Sequence, residues 1–417
     1  MWHGGCVTDE RLRRLLTRRR FLAGSGSMGV LALLGGCGGS DDSEDEATPT
    51  ATATSSPPTP TQAAASPTAA PTQPPSVEEM IGQMLMLGFR GTELTADNPI
   101  VADIRDRHAG GVVLFSRDVP TGGPRNIESP TQVAALTSAL QEASGGRLLI
   151  AVDQEGGQVA RLGPEHGFPA TRSAEELGQI DDLSVTSAAA GGIADTVVAA
   201  GFNVNLAPVV DLNTNPSNPI IGAIDRSFGA DPALVARHAA AFIDAHHERG
   251  LLTALKHFPG HGSSQADSHL GFVDVTETWD PVELEPFRAL IAAGKADMVM
   301  VAHLFNARLD ATYPASLSAE TIDGGLRRDL GFEGVVISDD MQMGAITQNY
   351  GFDEAVVRAV QAGNDILVLG NNLDSFDPDL GRRAFDLLRK AVEAGDISGD
   401  GIVATYDRIQ ALKARLA

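Results

Sequence analysis

The stretch Leu252-Thr253-Ala254-Leu255-Lys256-His257-Phe258-Pro259-Gly260-His261 changes character halfway along. Its first half is a short apolar run without the alternation of a half-wet sheet, and its second half is a string of groups that titrate, donate hydrogen bonds or turn the chain. Continuous apolar runs suit strands buried on both faces, as in parallel sheets covered by helices. The same change recurs along the chain. Met84–Phe89, Gly111–Phe115, Leu148–Val152, Asn203–Val210, Met298–Ala302, Gly334–Ser338 and Asp365–Leu369 join Leu252–Lys256 as eight predicted strands. Amphipathic segments lie between them, among them Asn98–His108, Thr131–Ala143, Pro232–Arg249, Val282–Ala293 and Glu354–Ala362. Eight βα units predict an α/β chain folded as a single (β/α)8 TIM-like barrel over residues 77–417. A doubly wound open sheet is the rival, but no G-x-G-x-x-G follows the first strand.

Polar residues gather just after the predicted strands: Asp153-Gln154-Glu155-Gly156-Gly157, Asp211, Lys256 to His261, His303 and Asp339-Asp340. In a barrel every strand ends at the same rim, so these residues are expected to line one pocket despite their distance in sequence. The cluster has no phosphate loop, no H-E-x-x-H and no nucleophile elbow. Two chemistries fit its residue types. One is metal-assisted hydrolysis with His257, His261, His269 and His303 as ligands beside Asp153 or Asp339. The other is glycosyl transfer, which needs a carboxylate facing an anomeric carbon and a proton donor at the leaving oxygen. Each residue also has a plainer reading. Asp339 and Asp340 could cap the next helix, Lys256 could be an interior ion-pair lysine, His261 could only order its loop, and His303 could be a satisfied core histidine. His246-His247 are expected on a solvated helix face.

With 54 acidic against 31 basic side chains, the chain carries a net −23 and would be repelled by nucleic-acid phosphates. The 2 cysteines cannot form a disulfide framework or a thiolate metal site. Arg18-Arg19-Arg20-Phe21-Leu22 leads into an apolar run ending at Leu34, too short to span a bilayer, and this reads as an export signal over 1–36 of the twin-arginine kind. Leu34-Gly35-Gly36-Cys37 is similar to a bacterial lipobox, so Cys37 is the expected lipidation site. Residues 37–76 are rich in Pro, Thr, Ala and Ser and read as a disordered tether. The leader carries +4 and the acidic tract 41–46 carries −5, which leaves −22 on residues 77–417. The expected place is the outer face of the cytoplasmic membrane, reached through the lipid anchor alone.

Lys256-His257-Phe258-Pro259-Gly260-His261-Gly262, followed by Asp267-Ser268-His269, resembles the signature of bacterial β-N-acetylglucosaminidases of glycoside hydrolase family 3, the NagZ type. Asp153 to Arg161, Ala207 to Asp211, Arg226-Ser227-Phe228-Gly229 and Ser338-Asp339-Asp340-Met341 stand in the matching order. The resemblance implies a retaining exo-β-N-acetylglucosaminidase, a β-N-acetylhexosaminidase that acts on GlcNAc-containing saccharides such as peptidoglycan fragments. It implies Asp339 as nucleophile and His269 as acid/base with Asp267 bonded to its imidazole. Asp153, Arg161, Arg226, Lys256 and His257 are implied as sugar contacts. His303, at its strand end, is expected to line the same substrate site; no cofactor and no metal are expected, and the enzyme is expected to be a monomer. Gln158 and Leu270-Gly271-Phe272 depart from the family pattern. Because the 262–266 loop is rich in Gly and Ser, the dyad is expected to swing over the sugar only on binding. A β-N-acetylglucosaminide phosphorylase and a sugar-binding lipoprotein without turnover are the rival functions.

Overall fold

A computed structural model describes residues 74–373 and 375–416. The predicted leader, Cys37 and the tether to residue 73 lie outside the described residues. From Pro75 onward the chain forms one compact unit. Its helices begin where the sequence supplies caps: Ser76, Asn98, Ser129, Asp182 and Asp231 each accept a backbone N–H of the first turn, and Pro99, Pro130 and Pro232 stand where a missing N–H costs nothing.

Eight strands close into a barrel: β1 Leu85–Leu87, β2 Gly111–Val113, β3 Leu149–Val152, β4 Val204–Asn205, β5 Leu252–Phe258, β6 Met298–Val301, β7 Val335–Asp340 and β8 Ile366–Leu369. Every pairing in the barrel is parallel and follows chain order, and β8 returns beside β1 with Leu367 opposite Leu85. The predicted (β/α)8 barrel is therefore the observed fold. The strands are buried along almost their whole length, which is why the sequence shows runs rather than alternation.

Three local expectations need correction. The fourth strand, predicted over Asn203–Val210, is regular only at Val204–Asn205; beyond it Pro208 has no N–H to give, and the chain stays beside β5 through separate bonds, Ala254 N–H to the Ala207 carbonyl at 3.0 Å and Val210 N–H to that of Lys256 at 2.8 Å. The Asn205 side chain instead binds the backbone of Gln154, with Oδ1 accepting at 3.0 Å and Nδ2 donating at 2.9 Å. β5 and β7 run further than expected, to Phe258 and Asp340, so His257 and Asp339 belong to the strands themselves. His246 is fully buried, not solvated. Its ring stacks on Phe242, Nδ1 donates to the Phe242 carbonyl at 2.8 Å, Nε2 faces Asn205 Nδ2 at 3.0 Å, and burial lowers its pKa to about 4. His247 pairs with Asp297 at 2.7 Å.

Candidate active site

At the carboxyl ends of the strands lies a cavity of about 440 Å³, within the range of small-molecule sites. Its floor is made of inward-facing barrel side chains, including Val113, Met300 and Val368. Asp153, Arg161, Arg226, Lys256, His257, Asp267, His269 and Asp339, which span most of the barrel in sequence, all reach it.

One wall is an ion network. Lys256, 2% exposed, donates from Nζ to Asp153 Oδ1 and approaches Glu155 Oε1, both at 2.7 Å. Arg226 grips Glu155 with both arms of its fork, at 2.8 and 2.7 Å, and donates to the Ile220 carbonyl at 2.7 Å. Arg161 stands 3.7 Å from the second oxygen of Asp153. Burial would push the Asp153 and Glu155 carboxyls up, but the cations beside them hold both below the usual carboxylate range. Burial would likewise pull the Lys256 ammonium down, and the two carboxylates hold it above its ordinary value. His257 faces Asp211 with Nδ1 at 2.7 Å and Arg226 Nη2 with Nε2 at 3.3 Å. Asp211 also accepts the backbone N–H groups of His257 and His261, at 3.1 and 2.8 Å.

Asp339 sits near the end of β7 with Oδ1 accepting the Asp340 N–H at 2.9 Å. Burial would raise its pKa, yet the imidazoles of His257, His303 and His269 pull it down to about 2, so it is a carboxylate at any working pH. Asp340 is the reverse case. Burial raises it to about 6, although Oδ1 accepts the N–H groups of Gln342 and Gly370. Gly370 is required there, since a Cβ would lie 2.4 Å from Asp340 Oδ2.

The facing wall is the loop that carries Asp267 and His269. Asp267 Oδ1 accepts from His269 Nδ1 at 2.7 Å and from its backbone N–H at 2.8 Å. Burial tends to lower the imidazole pKa, but the bond to Asp267 and the charge of Asp339 raise it above its ordinary value. The expected swing onto the sugar is not needed to bring this dyad to the cavity. Gly344 N–H binds the His269 carbonyl at 3.0 Å, Ala345 N–H that of Ser268 at 3.2 Å, and Asn215 holds Ser264 at 2.8 Å, so the loop is already fastened with His269 on the cavity wall.

His303 was expected against the sugar, but the structure places it behind the wall. It is 1% exposed, with Nδ1 at 2.7 Å from Ser316 Oγ and Nε2 donating to the Asp340 carbonyl at 2.9 Å. His261 is buried as well, between Ser264 and Ser268 at 2.7 and 3.1 Å, and orders the loop. Among the described residues no three His, Cys, Asp or Glu side chains, these four histidines included, form a metal-ligand set. Glu155 and Asp211 were not singled out as working groups. Glu155 could have been found from its place two residues after Asp153, which puts both on one side of an extended chain. Gln158, the departure from family pattern, donates to Asp225 at 3.2 Å and touches no assigned contact.

The profile of the glycosyl hydrolase family 3 N-terminal domain matches residues 76–412. The chain is 38% identical to a beta-hexosaminidase of Xylella fastidiosa (strain M23) over 78% of its own length and 97% of that protein. It is 31% identical to beta-hexosaminidase A of Pseudoalteromonas piscicida over 82% of its length, but spans only 62% of that protein. A family 3 β-N-acetylglucosaminidase structure from Paenibacillus sp. str. FPU-7 superposes with a TM-score of 0.75 at 36% identity, covering 82% of this chain and 63% of that one. Barrel, strand-end network and profile agree: the chain belongs to glycosyl hydrolase family 3.

Proposed function

We propose that this chain is a retaining exo-β-N-acetylglucosaminidase that removes terminal β-linked GlcNAc from peptidoglycan fragments or related oligosaccharides. The observation that carries the reading is the shared cavity of Asp339, ionised at the end of β7, and the Asp267–His269 couple on the facing loop. Asp339 attacks the anomeric carbon and forms a glycosyl ester while the His269 Nε2 proton passes to the leaving oxygen. The neutral imidazole then takes a proton from water, which opens the ester with a second inversion and returns the carboxylate. Asp267 fixes the Nδ1 proton and steadies the imidazolium. Asp153, Arg161, Lys256 and His257 offer donors and acceptors for the ring hydroxyls. The names of the relatives favour water over phosphate as acceptor.

The test is a slow fluoroglycosyl donor followed by peptide mass spectrometry. The label is expected on Asp339, and a label elsewhere overturns the assignment. GlcNAc-1-phosphate as the main product in phosphate buffer would overturn hydrolysis. Export by the 1–36 leader and lipidation of Cys37 belong to the same proposal. Fatty-acid labelling that Cys37→Ser abolishes is the expected result. A single-copy mass in sedimentation would fit the proposed monomer.

A further inference from the structure

At the opposite end of the barrel, beside the residues that precede β1, β2 and β3, lies a second, polar cavity of about 350 Å³. The most buried of its polar lining residues is Lys413, the last residue of the helix Gly399–Lys413 and only 4% exposed. Lys413 Nζ has one protein partner, the neutral Gln83 Oε1 at 2.6 Å, and that oxygen already takes a bond from Gln410 at 3.3 Å. Gln83 cannot turn to offer more, because its Nε2 is committed to the His108 carbonyl at 2.8 Å. Among the described residues no carboxylate lies within ion-pair distance of Lys413. The charge nearest to it in effect is a second cation, Arg147, on the turn before β3, which itself makes no ion pair or side-chain hydrogen bond among the described residues. Burial first, and Arg147 second, lower the Lys413 pKa to about 7.

Buried lysines are rare unless paired, and Lys413 and Arg147 face one wet cavity whose lining carboxylate, Glu79, makes no ion pair with either of them. A guanidinium fork and a point-like ammonium together match the oxygens of a tetrahedral anion. We propose that this basal cavity is a binding site for a small oxyanion of the phosphate or phosphate-ester class, held between Lys413 and Arg147 with His108 and Tyr406 on its wall. The mechanism proposed above makes no use of these residues, so the two readings stand or fall separately.

The test is thermal unfolding of the full chain in excess inorganic phosphate, against chloride at equal ionic strength, at pH 6. A rise in Tm of about 3 °C is expected, lost in Lys413→Met and in Arg147→Ala. Arg147 is exposed, so its variant keeps the test decisive should the lysine variant not fold. Glycerol phosphate in a parallel arm separates an ester ligand from the free ion: a similar rise assigns room for an ester, and a rise with phosphate alone assigns the ion. Sulfate, whose charge does not change, gives the pH arm. The groups facing Lys413 are Arg147, His108, Glu79 and Tyr406, and the rise should fade between pH 6 and 9 as the lysine loses its proton. No rise in the wild type, or an equal rise in Arg147→Ala, overturns the site.

Discussion

The two walls of the active cavity hold their charges in different ways. The strand-end wall keeps Lys256 at 2% exposure and Arg226 and Glu155 at 9% and 6%, each ion clamped by at least two partners. The loop wall leaves the His269 side chain 46% exposed, with Asp267 as the main partner of its ring. The first wall lies where side chains cannot move without breaking buried ion pairs. The second is fastened through backbone hydrogen bonds and leaves the imidazole itself open to solvent. A nucleophile and a sugar cradle gain from fixed geometry, whereas a group that gives a proton and later takes one from water gains from access to solvent.

The contrast breaks first at the nucleophile. Asp339→Ala is expected to lower kcat on an aryl β-N-acetylglucosaminide by about 10⁴-fold or more; near-normal turnover would remove the rigid wall from the chemistry. Glu155→Ala comes next. It strips the shared counter-ion from Lys256 and Arg226, and losing one member of a buried pair costs about 3–5 kcal/mol, to be read from denaturant midpoints. A change under about 0.5 kcal/mol, the ordinary range for surface substitutions, would mean the network is not what steadies the strand ends.

His269→Ala sharpens the other side. Stability is expected to stay within about 0.5 kcal/mol, while kcat falls about 10²- to 10⁴-fold for a poor leaving group and far less for a good one. The sign of the pH effect follows from the raised pKa of His269. The donor is protonated below its folded pKa and lost as pH rises through it, so the wild-type rate falls on the alkaline side. That limb is expected to vanish in the variant with a good leaving group, and an unchanged limb would assign the proton to another residue.

The barrel was readable because the signal is chemical and local: apolar runs that turn polar at one end. The polar ends named the rim, and the rim is where Asp153, Lys256, His257 and Asp339 stand. Position at a strand end does not say which side of the wall a side chain takes, and so His303 was read as a sugar contact when Ser316 and the Asp340 carbonyl hold it behind. Partners far apart in sequence were equally hidden. Glu155 meets Arg226 across 71 positions, and only the parallel pairing of β3 with β4 brings the loops that follow them together. The same holds for Asn205 and His246, whose contact ties a strand to its neighbouring helix and is carried by no periodicity.

Where the two walls join, one buried acid gives the smallest and most local test. Glu283, on the short turn Pro281–Leu284, is fully buried beneath the start of the loop, and its Oε2 accepts the Gly262 N–H at 3.0 Å while Oε1 has no partner. Burial raises its pKa from 4.5 to about 7, with Asp211 adding to the rise and the Gly262 N–H opposing it. The folded state therefore holds this proton more tightly than the unfolded chain, so this group's contribution to stability declines as pH climbs from about 4.5 to about 7 and is level above. Glu283→Gln keeps the acceptor for Gly262 and never ionises. It is expected to match the wild type near pH 5 and to exceed it by up to about 3 kcal/mol above pH 7, measured by denaturant unfolding across that range. A variant no more stable at pH 8 than at pH 5, relative to wild type, would mean that Glu283 is ionised and compensated in the fold. The anchor of the loop would then belong to the strand-end network, and the two walls would be one electrostatic unit.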